Sequence, residues 1–336
     1  MLIHGGNLRE AERLFGVPEA GWLDLSTGIS PFAYPISEAC LAPELFYRLP
    51  QGMDDLKEAA RDYYGAQSLT AVCGSQAAIQ ILPRLRGRSR VAVLSPAYEE
   101  HAYRWQLAGH DVVRLGAEEI LSEADNFDVV VLVNPNNPTG IFFSPQDLLS
   151  ALAILQKRDG WLVVDEAFID TRAEFSLSSY VGEKGLIILR SVGKAFGLAG
   201  TRVGFVLAEN CLIETIENES GPWPISGSSL SIVTRALGDR LWQKQNFARL
   251  DRQSNKLTDL LLRHQVQVSG ATSFFVYVQT NGARLIHEQL SQAGIWVRLF
   301  AEPSALRFGL PGSDTDFKRL EAALANLKVE ALQSPV

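Results

Sequence analysis

Val129-Val130-Val131-Leu132-Val133-Asn134 is an unbroken apolar run closed by an asparagine, and it has four counterparts. Val91–Ser95, Leu162–Asp165, Leu186–Arg190 and Gly204–Leu207 have the same character. A strand with one face in water alternates apolar and polar residues, whereas one covered on both faces has no reason to. The intervening segments carry a helical period. Asp147–Lys157 sets Leu148, Leu149, Leu152, Ile154 and Leu155 mainly along one side, behind Ser144-Pro145 as a start signal. Strands separated by helix-length connections are βαβ units with right-handed crossovers. The expected class is therefore α/β, a mostly parallel central sheet with helices on both faces.

Beyond the Pro- and Gly-rich loop Gly221-Pro222-Trp223-Pro224 the pattern changes. A polar helical stretch at about 229–264 is followed by β-like runs at Phe274–Val278 and Ile295–Phe300. A helix from Thr315 to about Leu327 comes last. These elements predict a large domain over 31–228 and a smaller α+β domain from 1–30 and 245–336, joined by the long helix at 229–264.

The chain has 336 residues, 46% hydrophobic and 21% charged, which excludes a disordered or fibrous protein. Net charge is −7, with no basic stretch of five or more, so no nucleic-acid partner is expected. No apolar run reaches the roughly 18 residues of a membrane helix. The opening M-L-I-H-G-G-N-L-R-E turns polar before a signal-peptide core could form. Cys40, Cys73 and Cys211 are far apart, and the five histidines are scattered, so neither a disulfide framework nor a metal site is expected. The expected location is the cytoplasm.

Three segments follow predicted strands, where ligands bind in open α/β sheets. They are Asn134-Pro135-Asn136-Asn137-Pro138-Thr139-Gly140, Asp165-Glu166-Ala167-Phe168, and Ser191-Val192-Gly193-Lys194-Ala195-Phe196-Gly197-Leu198-Ala199-Gly200-Thr201-Arg202. Read singly, the first is a turn and the second a helix cap. Together they bring an amide, a carboxylate, a lysine and an arginine to one rim.

In this order, with Lys194 and Arg202 eight apart, the segments resemble the class I/II aminotransferase superfamily of fold-type I pyridoxal-phosphate (PLP) enzymes. The resemblance covers nearly the whole chain. It implies PLP as cofactor, Lys194 as the amine that takes its aldehyde, and Asp165 as the carboxylate at the ring nitrogen. It further implies Asn137 as donor to the ring oxygen and Tyr98, in S-P-A-Y, as the aromatic on the ring. Ser191 and Arg202 would grip the phosphate, with Gly74, Ser75 and Gln76 where Leu69–Val72 gives way to a helix. Arg307, in A-L-R-F-G-L, fits the clamp for a substrate α-carboxylate, and Arg298 an additional arginine of the histidinol-phosphate aminotransferase branch. The paired acids Glu99-Glu100, Glu118-Glu119 and Asp54-Asp55 read as solvated faces.

Two positions depart from the aminotransferase pattern. Phe168 stands where many members have tyrosine, and Leu49 precedes Pro50 where a tyrosine commonly reaches the neighbouring subunit's phosphate. Tyr47 is the available substitute. The opening His4-Gly5-Gly6-Asn7, followed by Asp24-Leu25-Ser26-Thr27-Gly28-Ile29-Ser30-Pro31, resembles the threonine-phosphate decarboxylases of cobalamin biosynthesis. That group decarboxylates L-threonine O-3-phosphate to (R)-1-amino-2-propanol phosphate, and His4 and Gly5 would then face the substrate phosphate. The alternatives are a histidinol-phosphate aminotransferase, which shares both tail arginines, and a PLP-binding regulator without turnover. Decarboxylation and transamination differ in which bond at Cα stands upright over the ring, an angle that residues in a row do not reveal. The resemblance also implies a homodimer, with residues 47–50 at the subunit boundary.

Overall fold

The computed structural model describes residues 4–327. Residues 1–3 and 328–336, at the ends of the expected smaller domain, lie outside the described residues. The chain divides into two compact units, one of residues 33–137 and 141–245, the other of 1–32, 138–140 and 246–336.

The larger unit is built on a seven-stranded sheet. Its order is Leu69–Val72, Gly204–Leu207, Leu186–Ser191, Trp161–Asp165, Val129–Val133, Arg90–Leu94, Asp111–Leu115. All neighbours are parallel except at Gly204–Leu207, which runs antiparallel to both its partners. Val91, Val93, Val129, Val131, Val163, Ile187 and Leu189 pack in one cluster with Ala78 and Ile79, Ala102 and Trp105, and Leu212 and Ile216 from three helices. Val130, Leu132, Leu162, Val164 and Ile188, the alternate positions, are buried as well. Burial on both faces is why these strands carry no polar alternation.

The helix Pro145–Gln156 begins where expected: Ser144 Oγ accepts from the Asp147 amide at 3.2 Å. The single helix expected over 229–264 is instead two, Gly227–Gly238 and Arg240–Arg263. Asp239 leaves the helical region, and its Oδ1 accepts from the Trp242 amide at 3.0 Å, capping the second helix. A short polar side chain that competes for backbone amides, placed after a glycine, breaks a helix that periodicity alone runs through.

The smaller unit carries a five-stranded sheet in the order Leu23–Leu25, Ile295–Phe300, Ala305–Gly309, Phe275–Gln279, Gly270–Thr272. The first pair is parallel and the rest antiparallel. Among the described residues no helix is long and apolar enough to cross a membrane.

Candidate active site

In the large sheet the chain leaves Arg90–Leu94 for the outer strand Asp111–Leu115, then returns to Val129–Val133 on the other side. Such a reversal of strand order opens a crevice at the carboxyl ends of the two central strands. Tyr98 follows one of those strands and Asn137 the other. Asn136 Nδ2 donates to Pro96 O at 2.9 Å and ties the two loops together. Asn134 is spent on its own loop, bonded to Phe143 N and O at 2.9 and 3.0 Å. Asn134 and Asn136 are buried, and Asn137 is left partly exposed.

Asp165 ends the next strand and is 4% exposed. Its Oδ1 accepts from the Ala167 amide at 3.1 Å, and His101 Nε2 lies 3.1 Å from its Oδ2. An ionised carboxylate only accepts, so the imidazole donates, and the carboxylate keeps lone pairs for a further donor. Tyr98 packs edge-on to His101 with ring centres 6.1 Å apart. Glu166, the next residue, belongs to a buried ion cluster. Arg190 donates through Nη1 to Glu166 at 2.9 Å and Ser176 at 3.0 Å, and through Nη2 to Asp170 at 2.9 Å. Burial pushes the Glu166 carboxyl up, and Arg190 opposes it. Glu166 adjoins Asp165 and Arg190 adjoins Ser191, so one cluster anchors two of the three motif segments.

Lys194 lies in the short helix Val192–Ala195, partly buried, with Nζ 5.5 Å from the ring centre of Phe168. Arg202, at φ +53, turns its guanidinium against the start of helix Ser75–Ile81. A Cβ on Gly74 would fall 2.7 Å from Arg202 Nη2, and one on Gly204 would fall 2.4 Å from Ser75 N. Glycine at both positions lets a guanidinium and a helix-start amide stand together, a donor set suited to a phosphate. Ser191 caps the lysine helix without a side-chain cap bond. Gln76 spends its side chain within the protein, accepting from Tyr98 Oη at 3.1 Å and donating to Glu100 Oε2 at 2.7 Å.

The smaller unit holds a second constellation. Arg298 and Arg307 are directly paired across antiparallel strands, so they share one face of the sheet. Burial and then Arg298 push the Arg307 guanidinium down to about 10, with Asp24 opposing. Burial lowers Arg298 as well. Two positive charges side by side raise the local potential, and Glu10 and Asp24 act on Arg298 and Arg307 respectively. Arg307 Nη2 donates to Ser26 O at 2.8 Å. Ser26 Oγ in turn accepts from the Gly6 amide at 2.7 Å and donates to Asp24 at 2.6 Å. A Cβ on Gly5 would lie 2.2 Å from Ser26 O, so the opening segment is pressed onto Ser26 in a way only glycine permits. His4 is exposed at its end.

The family description "Aminotransferase class I and II" matches residues 42–324. The chain belongs to that family. It is 45% identical to a threonine-phosphate decarboxylase of Pseudomonas aeruginosa over 331 residues, 98% of this chain and 99% of the relative. A threonine-phosphate decarboxylase of a Sinorhizobium species is 37% identical over 335 residues, again 98% and 99%. The solved histidinol-phosphate aminotransferase of Sinorhizobium meliloti, in complex with pyridoxal-5'-phosphate, superposes with a TM-score of 0.82. It covers 99% of this chain and 95% of its own at 20% identity, a likeness of fold.

For a member of this family, two residues went unread in the sequence. His101 is one of five scattered histidines and declares itself only by its 3.1 Å approach to Asp165. Its spacing of three from Tyr98, one helical turn, was the available signal. Glu100, expected on a solvated face, is 8% exposed and bonded to Gln76 and to Arg104 Nε at 3.1 Å. Glu99 is exposed as expected. Asp165→Asn, which replaces the charge but keeps the shape, should lower kcat about 10²–10³-fold, as loss of one preorganised electrostatic contact does. Steady-state rates on saturated cofactor measure this, and an unchanged kcat would remove Asp165 from its role.

Proposed function

We propose that this chain decarboxylates L-threonine O-3-phosphate to (R)-1-amino-2-propanol phosphate and CO2, with PLP as cofactor, in cobalamin biosynthesis. The observation that carries this reading is the near full-length 45% identity to a threonine-phosphate decarboxylase, joined to the Ser26-anchored His4-Gly5-Gly6 opening beside Arg307.

The residues present fit PLP. The Gly74–Ser75–Arg202 cradle, with Ser191, suits its phosphate. Asp165 has acceptor capacity left for a protonated ring nitrogen, and Lys194 supplies a primary amine. Asn137 would donate to the ring oxygen and Tyr98 would lie on the ring face. Gln76 contributes at most its backbone, since its side chain is committed elsewhere. When bound, the cofactor supplies an electron sink for the pair freed as the carboxylate leaves.

The chain's own residues do the rest. Arg307 takes the α-carboxylate and leaves its second face to Ser26 O. His4, the Gly5 backbone and Arg298 take the substrate phosphate, as a cation beside a backbone amide takes an anion, while the Gly6 amide stays on Ser26. A substrate held at both its carboxylate and its phosphate would have the direction of its Cα bonds fixed, and that direction selects the bond that breaks. CO2 leaves and a proton takes its place at Cα.

The deciding experiment offers threonine phosphate and histidinol phosphate separately. CO2 release from the first without any 2-oxoglutarate is the expected result. Efficient 2-oxoglutarate-linked amine transfer from the second would install the aminotransferase reading instead.

We further propose a homodimer in the cytoplasm. Phe46, Tyr47 and Leu49 are 64%, 67% and 64% exposed in one short segment, an apolar display uncommon on a monomer. Tyr47 donates to Glu44 at 3.1 Å and is the aromatic there that carries a hydroxyl. Cys40, Cys73 and Cys211 are all free, in keeping with a reducing compartment. Sedimentation at micromolar concentration should give twice the chain mass, and a fully active monomer would contradict it.

A further inference from the structure

We propose that Glu100 is a positioning residue, acting through the Gln76 amide to fix the direction in which the Tyr98 hydroxyl donates. The inference rests on the reading that places Tyr98 against the cofactor ring.

Glu100 opens the helix Glu100–Leu107 yet is 8% exposed. Its Oε2 accepts twice, from Gln76 Nε2 at 2.7 Å and from Arg104 Nε at 3.1 Å. The two ends of a glutamine amide are nearly the same shape and opposite in hydrogen-bond sense. A carboxylate beside that amide removes the ambiguity, because only the NH2 end can face it. The carbonyl end must then face away, and there it accepts from Tyr98 Oη at 3.1 Å.

The phenol is thereby committed as a donor to Gln76, with its ring held at one tilt beside His101. Burial first, then Glu100 and Asp165, hold the Tyr98 hydroxyl up at about 12, so it remains a neutral donor throughout the working range. Were Glu100 apolar, the amide could turn over and present its NH2 to the phenol. The phenol would have to accept, and its position would no longer be specified. A carboxylate separated from the cofactor by two residues thus sets the orientation of the one proposed to touch it.

The test uses holoenzyme and four variants: Glu100→Leu, Glu100→Gln, Tyr98→Phe and the double variant Glu100→Leu/Tyr98→Phe. Measured are the PLP dissociation constant, the induced circular dichroism of the bound cofactor, and the melting temperature. Glu100→Leu should weaken PLP binding about three- to tenfold, the worth of one hydrogen bond, and change the dichroic band. Glu100→Gln, which still offers a carbonyl acceptor, should recover most of that loss. In the Tyr98→Phe background Glu100→Leu should add less than about twofold, because the hydroxyl it acts on is gone. Equal loss in both backgrounds, no loss at all, or a Glu100→Gln as poor as Glu100→Leu would overturn the proposal. A wild-type chain that takes up no PLP would instead overturn the function proposed above.

Discussion

Lys194→Ala is expected to lose catalysis by about 10⁴–10⁶-fold while remaining folded, the scale on which enzymes lose rate when a covalent-catalysis residue is removed. Two structural facts make the expectation selective. Lys194 is only partly buried on a four-residue helix, so trimming its side chain leaves little cavity. Its ammonium sits 5.5 Å from the Phe168 ring centre, a contact worth roughly 0.5–2 kcal/mol. That is far less than the barrier change predicted. The variant should show native far-ultraviolet dichroism, no borohydride-reducible cofactor band and no CO2 release. Turnover at the wild-type rate would show that some other amine serves.

Removing the phosphate from the substrate should be nearly as damaging. A phosphate ester carries about two negative charges at neutral pH, and Arg298, desolvated beside Arg307, has a charge that asks for them. Free threonine brings no dianion to those groups and forfeits the charge-assisted contacts proposed for the phosphate. Sites built for a polar group reject analogues lacking it by about 10⁴–10⁵ in kcat/KM. Because the phosphate end also steadies Cα, kcat should fall along with the rise in KM. His4→Ala should narrow the gap between the two substrates, whereas Arg307→Ala should harm both by loosening the shared α-carboxylate. Equal kcat/KM with and without the phosphate would defeat the decarboxylase reading.

Most of the strands legible in the sequence are short, continuous apolar runs buried on both faces, where length and β-branched residues favour a covered strand over a helix; Ile295–Phe300, half-buried toward its end, was legible too. Asp111–Leu115 escaped notice as an edge strand whose residues are exposed or half-buried, with Asp111 and Arg114 diluting its pattern. Leu23–Leu25 and Gly270–Thr272 are three residues each, too short for any period to show. The break at Asp239 depended on one side chain turning to cap the next helix, a local competition that an apolar stripe does not report.

Site residues divided along the same line. Lys194, Asp165 and Asn137 stand in contiguous motifs, and the structure sets Asp165 at the end of a strand, Asn137 in the loop after one and Lys194 on the short helix after one. His101 and Glu100 act across gaps of 64 and 24 residues, on Asp165 and Gln76. Beyond the spacing of His101 from Tyr98, a row of letters does not mark a buried histidine or glutamate as different from a solvated one. Only the folded sheet brings these pairs within hydrogen-bond reach.

The bond from Arg307 to Ser26 joins residues 281 apart in the chain, and the Gly6 amide hangs from the same serine. During synthesis Ser26 leaves the ribosome 281 residues before Arg307. That corner therefore cannot assemble on a nascent polypeptide, however far its large sheet has already condensed. Under the function proposed above, translation aborted before Arg307 would leave a product without the residue proposed to hold the substrate's α-carboxylate.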